Sequence, residues 1–301
     1  MRIGVTGATG FLGRYVVSHL TARGHECRCW QRATSDLSGI ETRGGAVTWV
    51  EGGLGITGAD EALVEGCDAV VHAALDRPGR GFRGAEGDLV AFVETNVIGT
   101  LRLIETARKA GVGRFVFISS GSVHEKILSD RPLDETHPAW STSHYGAHKG
   151  AIEAFVHSYG FGQGYPICAL RPTGIYGLAH RAAESKWFGL VRDVSRGVDV
   201  SCTLGGKEVH AADVARAVEI LLNADSTKVA GESFECYDMY ISDYEVATIA
   251  RSVSGGKGKI EGSAPTPKNE IVTNKIKGLG MTFGGRKLLE ETIGQLVGAV
   301  S

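Results

Sequence analysis

The chain lacks the features that mark membrane, secreted and nucleic-acid-binding proteins. Its 301 residues include 32 Lys and Arg against 34 Asp and Glu, a formal net charge of −2, so no excess of one sign favours nucleic acid or an anionic membrane as a partner. The first apolar stretch, Ile3 to Val5, is too short for a signal peptide or a membrane span. We therefore predict a cytoplasmic protein with a small-molecule substrate, no nucleic acid partner and no membrane contact.

Disulfide and metal-site patterns are lacking as well. The six cysteines are dispersed without a CxxC pair, which favours buried thiols in a reducing compartment over a disulfide or zinc framework. His144 and His148 have the helical spacing of two metal ligands, but no third ligand is evident nearby. We predict no metal site.

The first half of the chain alternates short apolar β runs with amphipathic helical stretches. This rhythm is typical of an α/β fold with a doubly wound parallel sheet, and it loosens after Pro172. We predict a dinucleotide-binding domain at 1–172, to which 208–240 returns, and a smaller, mainly substrate-binding C-terminal lobe at 173–301. The predicted strands cover 2–6, 26–31, 46–51, 69–74, 114–119, 165–171 and 233–236, and the predicted helices cover about 10–23, 89–110, 186–196 and 211–223.

A glycine-rich turn, Thr6-Gly-Ala-Thr-Gly-Phe-Leu-Gly13, joins the first predicted strand to the first predicted helix. Gly7 and Gly10 let the backbone turn sharply and approach a pyrophosphate, whose charge the helix N-terminus favours, while Gly13 lets helix and strand pack closely. The alternative is a glycine-rich β–α turn without a ligand. Strand, spacing and helix together favour dinucleotide binding.

Tyr145 and Lys149 stand four residues apart, which places them on one face of a predicted helix. A nearby cation favours the ionised form of a phenol, whose ordinary pKa is about 10. The pair therefore predicts a general acid/base that works near neutral pH, beside a dinucleotide, on a hydroxyl or carbonyl group of a substrate.

Cofactor choice depends on the end of the second strand, where an acidic residue would bind the ribose 2′-hydroxyl of NAD. The chain has Trp30-Gln31-Arg32 there, without an acid. Arg32, aided by Arg14, would suit the 2′-phosphate of NADP, so we favour NADP and keep NAD as the alternative. A solvated Arg32 without a ligand is the competing interpretation.

Several motifs follow one another along nearly the whole chain. They are the glycine turn, Asp68-Ala-Val-Val-His-Ala-Ala74, Asn96-Val-Ile-Gly-Thr100, Phe117-Ile-Ser-Ser-Gly-Ser-Val123, Tyr145 with Lys149, Leu170-Arg-Pro-Thr-Gly-Ile-Tyr-Gly177 and Val209-His-Ala-Ala-Asp-Val-Ala215. Each is weak alone, but in this order the chain resembles the extended short-chain dehydrogenase/reductase family, the NAD(P)-dependent epimerases and dehydratases. The resemblance implies a Rossmann-type fold and a homodimer formed through the helices that carry Asn96 and Tyr145.

The resemblance also implies roles for individual residues. Tyr145 would exchange a proton with the substrate oxygen while hydride moves to or from the nicotinamide, Lys149 would bind the nicotinamide ribose, and Ser120 would hydrogen-bond the substrate oxygen. Asn96 matches a helix asparagine near the catalytic site, and Ser122 falls where relatives place a substrate-contacting side chain. The positions that would bind the cofactor are Gly7, Thr9, Gly10, Phe11, Leu12, Gly13, Arg32, Ala73, Ala74, Tyr145 and Lys149.

Structural interpretations of some of these residues stay open. Ser120 and Ser122 would also suit a strand end or a tight turn, where serine is common. Asn96 would suit a helix irregularity, where it satisfies backbone groups. His72 lies in an apolar strand and is better interpreted as a core histidine than as a catalyst.

The chain departs from the family pattern at four places. Gly52-Gly53-Leu54 replaces a Gly-Asp-Leu whose aspartate reaches the adenine, so another group must hold the adenine. Gly121 and Ser122 stand where dehydratases have Asp-Glu, which disfavours dehydration. The segment 204–210 lacks the arginine that binds a nucleotide-sugar diphosphate, and His124-Glu125 replaces the usual Tyr-Gly pair without an evident reason.

Two loops, 76–88 and 178–187, are expected to contact the substrate. Their basic side chains would bind a carboxylate or a phosphate or form a solvated rim; these are Arg77, Arg80, Arg83, His180, Arg181 and Lys186. We predict an NAD(P)-dependent oxidoreductase that transfers hydride at a secondary alcohol or ketone of a small sugar-like or acidic substrate. The alternatives are a nucleotide-sugar 4-epimerase with tightly bound NAD and a non-catalytic dinucleotide-sensing protein.

Overall fold

The computed structural model describes residues 1–40, 45–77, 84 and 86–300. Its strands, in chain order, are β1 (Arg2–Thr6), β2 (Glu26–Gln31), β3 (Val47–Glu51), β4 (Ala69–His72), β5 (Arg114–Ile118), β6 (Ile167–Pro172), β7 (Gly174–Tyr176), β8 (Val200–Cys202), β9 (Gly205–His210), β10 (Ser233–Cys236), β11 (Met239–Ser242) and β12 (Ile260–Gly262). Its α-helices are α1 (Phe11–Ala22), α2 (Ala59–Val64), α3 (Leu89–Val93), α4 (Gly99–Lys109), α5 (His144–Gln163), α6 (Phe188–Ser195), α7 (Ala211–Asn223), α8 (Ser226–Val229), α9 (Asp243–Ser254), α10 (Asn274–Lys277) and α11 (Gly285–Val300).

Seven strands form one parallel sheet in the order β10-β6-β5-β4-β1-β2-β3. The central strands are buried on both faces; all residues of β4 and of β5 are buried. This burial explains why their sequences read as continuous apolar runs rather than alternating ones. The prediction of a Rossmann-type doubly wound sheet is confirmed.

The strand order reverses between β1 and β4, which are neighbours although two strands separate them in sequence. In open α/β sheets, ligands bind in the crevice beyond the carboxyl ends of the strands at such a reversal. We therefore expect a ligand to bind beside the segments that follow β1 and β4, near the carboxyl end of the neighbouring strand β5.

The chain divides into two compact units. The first consists of Met1–Pro172, Val214–Cys236 and Ile271–Met281, and the second of Thr173–Asp213, Tyr237–Glu270 and Thr282–Ser301. The seven-stranded sheet lies in the first unit. One hydrophobic core of that unit includes Phe115 and Phe117 of β5 and Ile152 of α5, and each fully buried side chain of this size stabilises the fold by about 1.5–3 kcal/mol.

The second unit contains two small sheets and three helices. The sheets have the strand orders β11-β9-β7 and β12-β8, and α6, α9 and α11 pack against one another. Tyr176, Val191 and Leu289 are completely buried in its core. The loosened rhythm after Pro172 thus corresponds to short strands between helices.

The helix predicted at about 89–110 differs from the observed one. A π-helical turn, Glu94–Ile98, separates α3 from α4. A π-turn adds a residue to a helical turn and is often found at functional sites. Apolar periodicity alone did not reveal it, because Val97 and Ile104 remain on the buried side.

The six cysteines are all buried, and none of them forms a disulfide bond. Burial raises the pKa of the Cys27 thiol to about 12, so it is a poor nucleophile at neutral pH. Among the described residues, no cluster of three or more His, Cys, Asp or Glu side chains is arranged to hold a metal ion. No helix in the described part of the chain is long and apolar enough to cross a membrane.

Candidate functional site

The glycine turn follows β1 at the point where the strand order reverses. Gly7 adopts a positive φ of 68°, a conformation that favours glycine. A Cβ on Gly7 would lie 2.8 Å from the backbone of Ala73 and Ala74, and a Cβ on Gly13 would overlap the carbonyl of Gly7. The glycine turn and the segment after β4 therefore approach each other more closely than a side chain at position 7 would permit.

Helix α1 begins within the glycine turn. Gly10 is its N-cap residue and offers no side-chain hydrogen bond. The amide groups of Phe11, Leu12 and Gly13 belong to the first helical turn, where backbone N–H groups lack partners within the helix. Such groups, together with the helix dipole, bind phosphate. These residues fit a dinucleotide pyrophosphate.

Arg14 holds the loop beside the turn. Its Nε donates to the carbonyl oxygen of Thr9 at 3.1 Å, and its two terminal nitrogens donate to the carbonyls of Ser38 at 2.6 Å and Asp36 at 2.5 Å. Much of its donor capacity is therefore used within the protein. The expectation that Arg14 aids Arg32 in binding a 2′-phosphate finds no support in these contacts.

Arg32 lies just after β2 with an exposed side chain. Its terminal nitrogen is 3.4 Å from Asp76 Oδ1, in an ion pair whose side chains are 66% and 53% exposed. Exposed pairs of this kind contribute at most about 1 kcal/mol. Gly53, which stands where the family has an aspartate, lies beside Arg32; a Cβ on Gly53 would lie 3.9 Å from Arg32 Cγ and 3.3 Å from Ile56 Cδ1.

A directed chain of hydrogen bonds crosses the sheet below the turn. Thr6 Oγ1 accepts from the amides of Ala73 and Ala74 at 3.1 and 3.0 Å, so its own proton goes to His72 Nδ1, 2.7 Å away. His72 Nε2 consequently carries the ring proton and donates to Thr100 Oγ1 at 2.8 Å.

His72 is buried, and desolvation, followed by the positive charge of Lys149, lowers its pKa to about 3. A neutral His72 with both ring nitrogens hydrogen-bonded is a core histidine. These contacts therefore agree with the structural interpretation of His72.

Asn96 lies in the π-turn and is 2% exposed. Its Oδ1 accepts from the amide of Asp76 at 2.8 Å, and its Nδ2 donates to the carbonyls of Asp76 at 2.8 Å and Phe92 at 3.0 Å. Its amide thus fastens the segment after β4 to the helix. Of the two interpretations that the sequence left open, backbone satisfaction at a helix irregularity matches these contacts.

Ser120 follows β5 and is the N-cap of a short 3-10 turn, Gly121–Val123. Its Oγ accepts a 3.1 Å hydrogen bond from the amide of Ser122, which leaves its proton for another acceptor. The turn packs tightly against the start of α5, because a Cβ on Gly146 would overlap the carbonyl oxygen of Ser122. The predicted residues after β5 and on α5 are therefore brought together.

Tyr145 and Lys149 occupy the first two turns of α5, and only 8% and 5% of their surfaces are exposed. Lys149 Nζ donates to the carbonyl oxygen of Ile118 at 2.8 Å and lies 4.7 Å from the centre of the Phe117 ring. Burial lowers the pKa of Lys149 to about 7, and the nearby Glu153 carboxylate offsets only part of this effect. The ammonium group is thus held at the carboxyl end of β5.

His148 separates the two along the helix and packs against Tyr145, with ring centres 5.2 Å apart, and against Phe92 at 5.0 Å. Burial, followed by the charge of Lys149, lowers the pKa of His148 to about 3. His148 therefore stays neutral near pH 7 and acts as a packing partner of the phenol. The exposed His144 does not share this environment.

Sequence reasoning missed a buried cluster beneath the site. The guanidinium of Arg171, in β6, forms bidentate hydrogen bonds to the carboxylate of Glu153 at 2.6–3.0 Å. It also donates to Glu235 of β10 at 3.0 Å. Ser119 donates to Glu153 as well. Burial alone would lower the pKa of Arg171, but the two carboxylates outweigh it and raise that pKa. The sequence signal that points to this cluster is Arg171, a charged residue within the family-like Leu170-Arg-Pro motif of a predicted strand.

Of the predicted substrate residues, Arg181 and Lys186 belong to the second unit. Arg181 is exposed and precedes a 3-10 turn, Ala182–Glu184, in the second unit. In the same unit Lys186 pairs with the buried Glu208 at 2.5 Å, so its charge is already balanced. Arg80 and Arg83 lie outside the described residues, and Arg77 is only half-buried.

Comparison with curated proteins gives relatives that are mainly oxidoreductases and sugar-modifying enzymes. A 3-beta-hydroxysteroid dehydrogenase of Mycolicibacterium neoaurum is 33% identical over 195 residues, which cover 62% of this chain and 51% of the relative. A dTDP-glucose 4,6-dehydratase of Streptomyces antibioticus is 31% identical over 185 residues, 59% of this chain and 54% of the relative. The chain thus spans about half the length of the curated relatives it matches.

Solved structures with the same fold cover the chain almost completely. UDP-glucose 4-epimerase of Thermus thermophilus in complex with NAD has a TM-score of 0.78 at 23% identity, over 100% of this chain and 99% of that one. UDP-glucuronic acid 4-epimerase of Bacillus cereus with NAD has a TM-score of 0.80 at 18% identity and equal coverage. The model of the NAD dependent epimerase/dehydratase family matches residues 3–236. The chain therefore belongs to that family.

Proposed function

We propose that this protein is an NAD(P)-dependent oxidoreductase that interconverts a secondary alcohol and a ketone on a small sugar-like or acidic substrate. The observation that carries the proposal is Lys149: a buried ammonium one helical turn from Tyr145, with a single hydrogen bond to Ile118 among the described residues. An ammonium has three donors. Its remaining N–H groups suit the hydroxyls of a nicotinamide ribose.

The bound dinucleotide would supply or accept the hydride, and the protein would manage the proton. Tyr145 exchanges it with the substrate oxygen, and the charge of Lys149 favours the phenolate form needed for that exchange. Ser120 holds the same substrate oxygen through its hydroxyl. A positioned acid/base of this kind contributes about 10²- to 10⁴-fold to the rate.

NADP is the proposed cofactor, with NAD as the alternative. Arg32 supports NADP, since it is an exposed cation after β2 without an acidic residue at the strand end. A 2′-phosphate would replace Asp76 as its partner, and a dianion competes well against a weak exposed pair.

The substrate is proposed to lack a nucleotide diphosphate. Segment 204–210 contains no arginine, and the nearby cation of Lys186 is already paired with the buried Glu208 of that segment, so neither offers a bidentate contact to a diphosphate. Arg181 and Ser122 are the proposed substrate-contacting residues. Gly121 and Ser122 lack the carboxylates of an eliminating enzyme, which supports simple oxidation and reduction over dehydration.

The test is cofactor-linked turnover on a panel of sugar acids, keto sugars and nucleotide sugars. The proposal predicts that the absorbance of added NADPH or NADP changes in proportion to product. Product without any net change in added cofactor would instead indicate a 4-epimerase with retained NAD. Cofactor binding without turnover on any class would favour a sensing protein.

We also propose a homodimer. Large apolar side chains are exposed on α3 and the following π-turn; they are Leu89, Val90, Val93 and Ile98. Covering them would remove an apolar patch from water. Light scattering after size exclusion tests this, since Val90→Glu should convert a dimer into a monomer; a monomeric wild-type protein would contradict it.

A further inference from the structure

His124 and Glu125, which replace the usual Tyr-Gly pair of the family, each make contacts next to the proposed catalytic residues. They directly follow the Gly121–Val123 turn, whose flanking Ser120 and internal Ser122 are the predicted site serines. One side chain points to the sheet and the other to α5. The pair therefore joins three elements of the first unit.

His124 connects the turn to the sheet. It is 5% exposed, and its Nε2 lies 2.9 Å from Glu235 Oε1 and 2.9 Å from Arg171 Nη1. Its Nδ1 donates to the carbonyl oxygen of Pro138 at 3.1 Å, since a carbonyl can only accept. Both ring nitrogens are thus engaged, and the end of the turn is fastened to β6 and β10.

Glu125 connects the same segment to the start of α5. Its Oε2 accepts from the amides of Thr142 and Ser143 at 2.5 and 2.6 Å and from the Thr142 hydroxyl at 3.0 Å, while its Oε1 accepts from the Ser143 hydroxyl at 2.8 Å. Although burial would raise the pKa of Glu125, these hydrogen bonds outweigh it and lower that pKa. The carboxylate is therefore charged at neutral pH.

The contact continues into the helix. Ser143 is the N-cap of α5, and its Oγ accepts from the amide of Gly146 at 3.0 Å. Because the Ser143 hydroxyl proton goes to Glu125, its lone pairs are directed to that amide. Glu125 thus orients the cap of the helical turn that contains Tyr145, and its negative charge complements the helix N-terminus.

We propose that His124 and Glu125 are positioning residues that hold the Ser120–Val123 turn and the first turn of α5 in a fixed relation. Ser120 and Tyr145 then meet one substrate oxygen with little freedom of approach. A displacement of about 1 Å at a reacting group costs about 10²-fold in rate. The inference rests on the proposed function, because it gives Ser120 and Tyr145 a common substrate oxygen.

Glu125→Gln tests the helix contact with little change in shape. The variant is expected to speed hydrogen exchange of the amides at 142–146 about fivefold or more, as loss of a cap does, and to lower kcat about tenfold or more. KM and the dissociation constant of NADPH should stay within about twofold. Asp225→Asn is the matched control, because Asp225 caps the remote α8 through Thr227; it should leave kcat unchanged.

His124→Tyr combined with Glu125→Gly tests the whole pair, since it restores the usual family residues. It should lower kcat at least as much as Glu125→Gln, with folding monitored by thermal melting. Ser143→Ala, which removes only the cap hydroxyl, serves if the double variant fails to fold. Faster exchange at 142–146 with unchanged kcat would overturn the proposal, and so would unchanged exchange. The exchange measurement needs no substrate, so a failure of the proposed activity is recognised separately.

Discussion

The ammonium group of Lys149 donates a 2.8 Å hydrogen bond to the carbonyl oxygen of Ile118, the last residue of β5. This bond joins the second turn of α5 to the carboxyl end of a central strand. The position of Lys149 therefore follows from two regular elements and not from a loop. Sites built on such elements hold their groups more accurately than sites on loops.

Lys149→Met is expected to stabilise the cofactor-free protein. Burial lowers the pKa of Lys149 from its ordinary 10.5 to about 7, so between these values the unfolded chain binds a proton that the folded chain does not, and stability rises with pH. The increase in the free energy of unfolding caused by Lys149→Met should be largest below pH 7 and should shrink towards pH 10. Urea unfolding of both proteins at pH 6.5, 8 and 9.5 measures this. A variant that is less stable at every pH would contradict it.

His72→Gln should reduce the acid sensitivity of folding. The folded-state pKa of His72 is lowered from 6.5 to about 3, so its contribution to stability is present above pH 6.5 and is lost as the pH falls towards 3. The variant loses part of the series of hydrogen bonds that runs from Thr6 through residue 72 to Thr100, and this loss costs about 1–3 kcal/mol of stability near pH 8. Its free energy of unfolding should then fall less steeply below pH 6.5. An unchanged slope would show that His72 does not titrate as described.

Gly13→Ala tests the close packing at the glycine turn. The added methyl group would overlap the Gly7 carbonyl, and overpacking of this kind costs about 1–3 kcal/mol. The substitution should also weaken dinucleotide binding strongly. Gly162→Ala in α5, where the methyl group would meet nothing within 4 Å, is the control and should preserve both properties. Thermal melting and calorimetric titration measure them, and equal behaviour of the two variants would argue against the turn as the dinucleotide site.

Arg32→Ala and Asp76→Asn test cofactor choice in opposite directions. Loss of Arg32 should weaken NADP far more than NAD, because only NADP has the 2′-phosphate. Asp76→Asn removes the competing carboxylate and should strengthen NADP binding about two- to fivefold, in keeping with an exposed pair. Titration with both cofactors decides the matter. If Arg32→Ala changed the affinities for NADP and NAD equally, Arg32 would be a solvated residue that does not contact the 2′-phosphate.

Sequence patterns predicted the elements whose residues carry a local signal. β1, β2, β10 and α7 have the predicted bounds, because short apolar runs and an amphipathic stripe are bounded by turn residues. The glycine turn and the spacing of Tyr145 and Lys149 are likewise local. Such signals sufficed to predict the fold class, and the proposal of cofactor-binding residues also rests on them.

Contacts between distant residues were beyond sequence reasoning. The π-turn at Glu94–Ile98 accompanies the bonds of Asn96 to the segment after β4, which no helical period encodes. His124 had no interpretation because its partner Glu235 is 111 residues away. The contacts of Arg14 with the carbonyl groups of Ser38 and Asp36 are likewise not encoded locally, because they depend on the path of a loop.

Tyr145→Phe is the most direct test of the central claim, that Tyr145 transfers the proton beside the cofactor. The substitution removes one hydroxyl from a buried ring that still packs on His148. The account predicts a kcat about 10²- to 10⁴-fold lower, with the dissociation constant of NADPH nearly unchanged. A folded, cofactor-binding variant that kept wild-type kcat on the same substrate would contradict it.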